Sequence, residues 1–140
     1  MSHGDTLFDA DAWRGRMDER WFESGAAMAE TGAVDLVAIE DDAVTAHVTG
    51  STGELYVVAL RAPAGEGACT CPGFDKFGAC KHQAAVVVAA NLLDGTGRGY
   101  VRDRLAKVRD GLALESKDAL IERIVELAKK DPKVLAGLEG

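Results

Sequence analysis

The chain has 140 residues, 47% apolar and 28% charged, a globular mix that excludes a collagen-like chain and disorder over the whole length. Its net charge of −7 argues against indiscriminate binding to nucleic acid. The charge is uneven, however: residues 1–60 hold 3 arginines, no lysine and 12 acids, whereas residues 61–140 hold 13 basic and 11 acidic residues, so a local basic face in the second half stays open.

The N-terminus has no basic, apolar signal stretch, and the expected compartment is the cytoplasm. Residues 1–10 read as a flexible tail. Trp13, Met17 and Trp21 recur at i, i+4, i+8, and Met28 joins the stripe, which predicts one helix or two short ones between about Asp11 and Glu30. The stripe is read as core packing. From Val34 the period changes. Val34 to Glu40 is a β-branched and apolar run, Asp41-Asp42 a turn, and Ala43 to Thr49 alternates with Val44, Ala46 and Val48 on one face. Glu54 to Leu60 is a third strand, with either Leu55 and Val57 or Tyr56 and Val58 turned to the core. Short connections imply an antiparallel meander. His47, on the polar face, is read as an exposed structural histidine.

Residues Lys81 to Leu93 are apolar almost all round, and their length favours a buried helix over a strand. The longest nearly apolar run, Ala84 to Leu93, is ten residues broken by Asn91, half of the about 20 a membrane span needs. Asp94 to Gly99 reads as a break. Helices then close the chain. Val101, Leu105, Val108 and Leu112 form one stripe; Leu120, Ile121, Ile124, Val125, Leu127 and Ala128 form another behind an N-cap at Ser116. Asp131-Pro132 reads as a cap and first helical position of a last short helix.

Three cysteines, an odd number, lie within twelve residues of one another. That does not suit a disulfide framework. Cys69-Thr70-Cys71 and Cys80-Lys81-His82 are separated by eight residues, giving C-x-C-x8-C-x-H. Three thiols and an imidazole are the donor set of a structural Cys3His zinc site. In an extended segment, Cys69 and Cys71 aim their sulfurs the same way. Pro72 keeps Cys71 extended, and Pro72-Gly73 suits a type II turn. Cys80 and His82 are two apart and cannot both be interior helical ligands. Cys80 therefore belongs at or before the helix start, with His82 in the first turn and Lys81 outward. Four protein donors leave no open position for a hydrolytic water.

This motif resembles the SWIM zinc finger. The strands before C-x-C-P and the apolar helix after C-K-H agree with that family, over roughly residues 20–93. A looser likeness to the tail of some bacterial members covers residues 113–138. The resemblance implies that Cys69, Cys71, Cys80 and His82 hold one structural zinc. It also implies a binding module, for DNA or protein, rather than an enzyme. No phosphate-loop pattern appears, so any catalytic work would belong to a separate protein.

The sequence thus predicts an α+β fold: a three-stranded antiparallel meander with the zinc site, a buried helix after it and a C-terminal helical cap. The finger domain spans 11–95 and a helical region 96–140. Expected partners are nucleic acid or a protein of DNA metabolism, with no membrane and no small-molecule substrate. Candidate nucleic-acid contacts are Lys76 and Lys81, which also offset the zinc site's charge, and Arg98, Arg102 and Arg109, which fall on one edge of a helical wheel. Two other readings remain: a protein-interaction adaptor without nucleic-acid contact, and a thiol-based redox or zinc sensor.

Overall fold

The computed structural model describes residues 6–140. Two short helices open it, α1 (Ala10–Arg14) and α2 (Glu19–Glu30). Each starts at an aspartate whose carboxylate accepts a backbone N–H, Asp9 from Ala12 and Asp18 from Arg20. The predicted stripe holds only in part. Trp13 is buried, but α2 turns Phe22 and Gly25 to the core and leaves Trp21 half-buried.

The sheet has four antiparallel strands in the order β1-β2-β3-β4: β1 (Val34–Glu40), β2 (Ala43–Thr49), β3 (Leu55–Arg61) and β4 (Gly67–Cys69). The three-stranded meander expected from sequence is corrected by β4, which pairs with β3 through Val58–Cys69, Ala59–Ala68 and Leu60–Gly67. The inner face carries Val44, Ala46, Val48, Val58 and Leu60, all at most 2% exposed. Of the two alternatives for β3, the pleat therefore selects Tyr56 and Val58; Leu55 and Val57 face outward. A register shift between Leu36 and Ala38 bends β1. His47 is exposed and sits opposite Asp35.

After β4 comes α3 (Pro72–Phe77), then α4 (Lys81–Asn91). The type II turn expected at Pro72-Gly73 is instead the start of α3, with proline at its first position. The central helix, α4, packs against all four strands and against α1 and α2. Seven of its eleven residues are buried, His82 to Val87 and Ala90. Small residues allow close approach to α2. A Cβ on Gly25 would lie 2.4 Å from the Lys81 carbonyl and 2.6 Å from the Ala84 Cβ.

Of the expected flexible tail, residues 1–5 lie outside the described residues, but the rest is docked. Phe8 is 1% exposed and meets Trp13 edge to face at 5.8 Å. Asn91 grips it from the end of α4: the side-chain oxygen accepts from the Phe8 N–H at 2.8 Å, and the amide donates to the Phe8 carbonyl at 3.0 Å.

The expected break over Asp94 to Gly99 is also corrected. The helix α5 (Gly95–Ala113) begins there, because the Asp94 carboxylate accepts the Gly97 N–H at 2.7 Å and caps its first turn. The chain divides into two compact units, residues 1–105 and 106–140. Val101 is buried in the first core, and Arg104 binds both carboxylate oxygens of Asp35 and the Leu36 carbonyl on β1. These contacts carry α5 into the first unit as far as Leu105.

The second unit holds the end of α5, α6 (Lys117–Lys130) and α7 (Pro132–Glu139). Ser116 caps α6 by accepting from Ala119 N–H, and Asp131 caps α7 by accepting from Lys133 N–H. Ala128 is its one buried side chain. No helix among the described residues is long and apolar enough to cross a membrane.

Candidate metal centre

Cys69 ends β4, and Thr70 extends the ladder by one step. The Thr70 N–H donates to the Val57 carbonyl at 3.1 Å, and its hydroxyl accepts from the Val57 N–H at 3.0 Å. The chain stays extended through Cys71 (φ −77°, ψ 155°), so Cys69 and Cys71 turn inward and Thr70 outward. Cys71 is also the N-cap of α3, and its Sγ accepts the Phe74 N–H at 3.3 Å. Gly78 ends α3 in the left-handed region (φ 73°), which favours glycine, and returns the chain to the cluster. Cys80 is the extended N-cap of α4 (φ −158°, ψ 163°) and His82 lies in its first turn, the arrangement expected for ligands two residues apart.

Cys69, Cys71, Cys80 and His82 are all buried, and their donor atoms lie within 4.8 Å of one another. The Cys69 Sγ is 3.8 Å from His82 Nδ1, which makes Nδ1 the ligand nitrogen. A tetrahedral zinc with Zn–S near 2.3 Å and Zn–N near 2.0 Å separates its donors by roughly 3.5–3.8 Å. The donor set therefore fits one zinc ion. The Tyr56 ring lies against the His82 ring, with centroids 4.7 Å apart, and fixes its plane.

Without a cation the three sulfurs compete for charge. Cys80 ionises first: a hydrogen bond from Cys69 and the neighbouring His82 outweigh burial and pull its thiol down to about 4. The resulting charge on Cys80, with burial, pushes the Cys69 thiol up, and burial raises Cys71. A divalent ion resolves the conflict by letting all three exist as thiolates. With neutral histidine the filled site carries −1. Four protein donors close the coordination sphere, as in structural rather than catalytic zinc.

The cationic candidates are divided by the fold. Lys76 is on α3, its ammonium 5.3 Å from the Phe77 ring centroid. Lys81 is the first residue of α4 and lines a cleft of about 450 Å³ over the zinc ligands. Arg98 and Arg102 lie in the first unit; Arg98 is half-buried, with its Nε shielded and unpaired among the described residues. Arg109 belongs to the second unit. Sequence reasoning missed the residues that complete the cleft. Trp21 and Phe77 meet across it at 5.3 Å, and Glu54 stands on the β2–β3 connection. The alternation along β3 was the available signal for Tyr56; Trp21 had been absorbed into the helical stripe, and nothing local marks Glu54.

Residues 56–91 match the family model of the SWIM zinc finger. No curated protein and no solved structure matches the chain. The matched segment takes in most of β3 together with β4, α3 and α4, and so contains all four donors of a site that supports one structural zinc. On sequence and on geometry alike, the chain carries a SWIM zinc finger between Tyr56 and Asn91.

Proposed function

We propose that this protein is a non-enzymatic, zinc-dependent binding module whose finger face takes nucleic acid, DNA in the first place. The observation that carries this reading is the position of the lysines at the knuckle. Arg14, Arg20, Arg61, Arg104, Arg123 and Lys129 each hold a carboxylate. Lys76 and Lys81 make no ion pair among the described residues, a state they share with Arg102, Arg109, Lys117, Lys130 and Lys133; what sets these two apart is that they flank the metal centre. They are thus available to phosphate. The zinc has a structural role, holding β4, α3 and the start of α4 in register. Metal-binding thiols suit a reducing compartment, which supports a cytoplasmic location.

The test is fluorescence anisotropy of labelled single-stranded and duplex oligonucleotides with the zinc-loaded chain, from low to physiological salt. Binding that falls steeply with salt and is lost in Cys80→Ser supports the reading. No binding to either form at low salt removes it.

One observation favours a second reading, an adaptor for a protein of DNA metabolism. In residues 106–140 the side chains of Leu114, Ile121, Ile124, Val125, Leu127, Leu135 and Leu138 are exposed, more apolar surface than so short a segment ordinarily leaves to water. A pull-down partner lost on Ile121→Ser and Val125→Ser, with nucleic-acid binding absent, would replace the first reading by this one.

A further inference from the structure

We infer that the cleft over the zinc ligands receives an unpaired base of single-stranded nucleic acid, stacked on Trp21 and Phe77 and held at its amino edge by Glu54. This rests on the nucleic-acid reading and names its substrate class.

The cleft has a volume of about 450 Å³, is broadly open to solvent, and counts Cys71, Cys80 and His82 among its lining residues. That volume lies within the range of roughly 300–1,000 Å³ typical of ligand sites. A base can enter such a space only when it is free of its partner strand.

Its walls have the chemistry of a base site. Trp21 comes from α2 and Phe77 from the last position of α3, with ring centroids 5.3 Å apart and planes tilted by 49°. Phe77 is 58% exposed, so core packing does not account for it. Aromatic faces at the mouth of a cleft are stacking platforms for bases of any sequence. Lys76 beside Phe77 and Lys81 on the cleft wall are placed to meet the backbone phosphates.

Glu54 adds selectivity. The Thr52 hydroxyl donates to Glu54 Oε2 and holds its carboxyl below the usual carboxylate range. An ionised carboxylate is acceptor-only and repels phosphate, so its favourable contact is with a base that offers an exocyclic amine. Cytosine has such an amine, whereas an unpaired thymine offers only its ring N3–H, set between two carbonyl oxygens that a carboxylate repels. Tyr56, stacked on His82, ties the cleft to the metal centre.

The experiment uses the full zinc-loaded chain with labelled oligo(dC), oligo(dT) and a duplex, each of about twelve nucleotides, a length within the range that small single-strand modules cover. Anisotropy and tryptophan quenching are read together, and zinc content is measured for every variant. The expected result is at least tenfold tighter binding of oligo(dC) than of duplex. Phe77→Ala and Trp21→Ala should each weaken it about tenfold with zinc retained. Glu54→Gln should reduce the preference for oligo(dC) over oligo(dT) at least threefold. Phe77 is largely solvent-exposed, so its replacement keeps the test open if Trp21→Ala folds poorly. Duplex binding as tight as single-strand binding, unaffected by Phe77→Ala, overturns this inference and leaves the nucleic-acid reading standing. No binding of any oligonucleotide overturns both.

Discussion

The two helices α4 and α6 invert the usual relation between pattern and burial. In α4 apolar residues run round the whole circumference, and the helix is buried because strands lie on one side and α1 and α2 on the other. In α6 the apolar residues are gathered on one face, the sign of a helix with a core to meet. Yet Ile121, Ile124, Val125 and Leu127 remain 42–52% exposed, and only Ala128 is buried. The difference is one of chain length rather than of local sequence. The first unit has residues enough for several layers. The second has 35 residues, short of the roughly 40 below which a chain usually needs a disulfide, a metal or a partner to stabilise a core.

The sharpest way to break this contrast is to remove the metal. Structural zinc binding is folding free energy, roughly 10–16 kcal/mol in apparent terms at neutral pH. Chelation, or Cys80→Ser, should therefore destabilise the first unit by roughly 5 kcal/mol or more. Both tryptophans, Trp13 and Trp21, lie in that unit. Tryptophan fluorescence should report its unfolding, and the helical circular dichroism should fall with it, because residues 106–140 bury too little to hold their helices alone. Helical signal that outlasts the fluorescence change would show that the second unit has stability of its own.

Next in size is a pair of glycine substitutions. Gly25→Ala drives a Cβ against the α4 backbone. Overpacking of that kind costs about 1–3 kcal/mol, against a gain of up to about 1 kcal/mol in helix propensity. Gly111→Ala, with nothing within 4 Å of the added atom, should stabilise by about 0.5–1 kcal/mol. Opposite signs in urea denaturation are expected; equal signs would mean that α2 and α4 do not approach as closely as described.

The smallest effect concerns Asp35. Its hydrogen bond to Arg104 holds its carboxyl below the usual aspartate range. The folded pKa is therefore lower than the unfolded one. The contribution is present above about pH 4, the unfolded value, and is lost as pH falls through the folded one. The side chain is 58% exposed, so the contribution stays well under about 1 kcal/mol. Asp35→Asn should remove this part of the acid dependence; an unchanged slope in acid titration of stability would show that the pair contributes nothing.

The metal ligands were legible in the sequence because coordination chemistry restricts both residue type and spacing. The limits of β1 and β2 were legible because their turns are polar and their residues β-branched. What escaped was structure whose cause is not periodic. Gly67-Ala68-Cys69 has little strand propensity and pairs because β3 offers an edge. Pro72-Gly73 has turn composition, but the Cys71 sulfur caps the Phe74 N–H and makes it a helix start. The glycines at 95, 97 and 99 read as a break, yet the Asp94 carboxylate caps them into the first turn of α5. The cleft was invisible for a different reason. Its walls come from α2, the β2–β3 connection and α3, and no single stretch of sequence contains the pattern.

The clasp of Phe8 by Asn91 joins positions 83 apart. The strand pairings form through short connections, with little entropy of closure, whereas this clasp closes nearly the whole of the first unit. Phe8 also meets Trp13, five residues on, so the segment has a local contact that needs no long closure. The two bonds to Asn91 are the distant part of its hold, and they tie the segment before α1 to the end of α4. Unseating Phe8 would therefore loosen both ends of the first unit together.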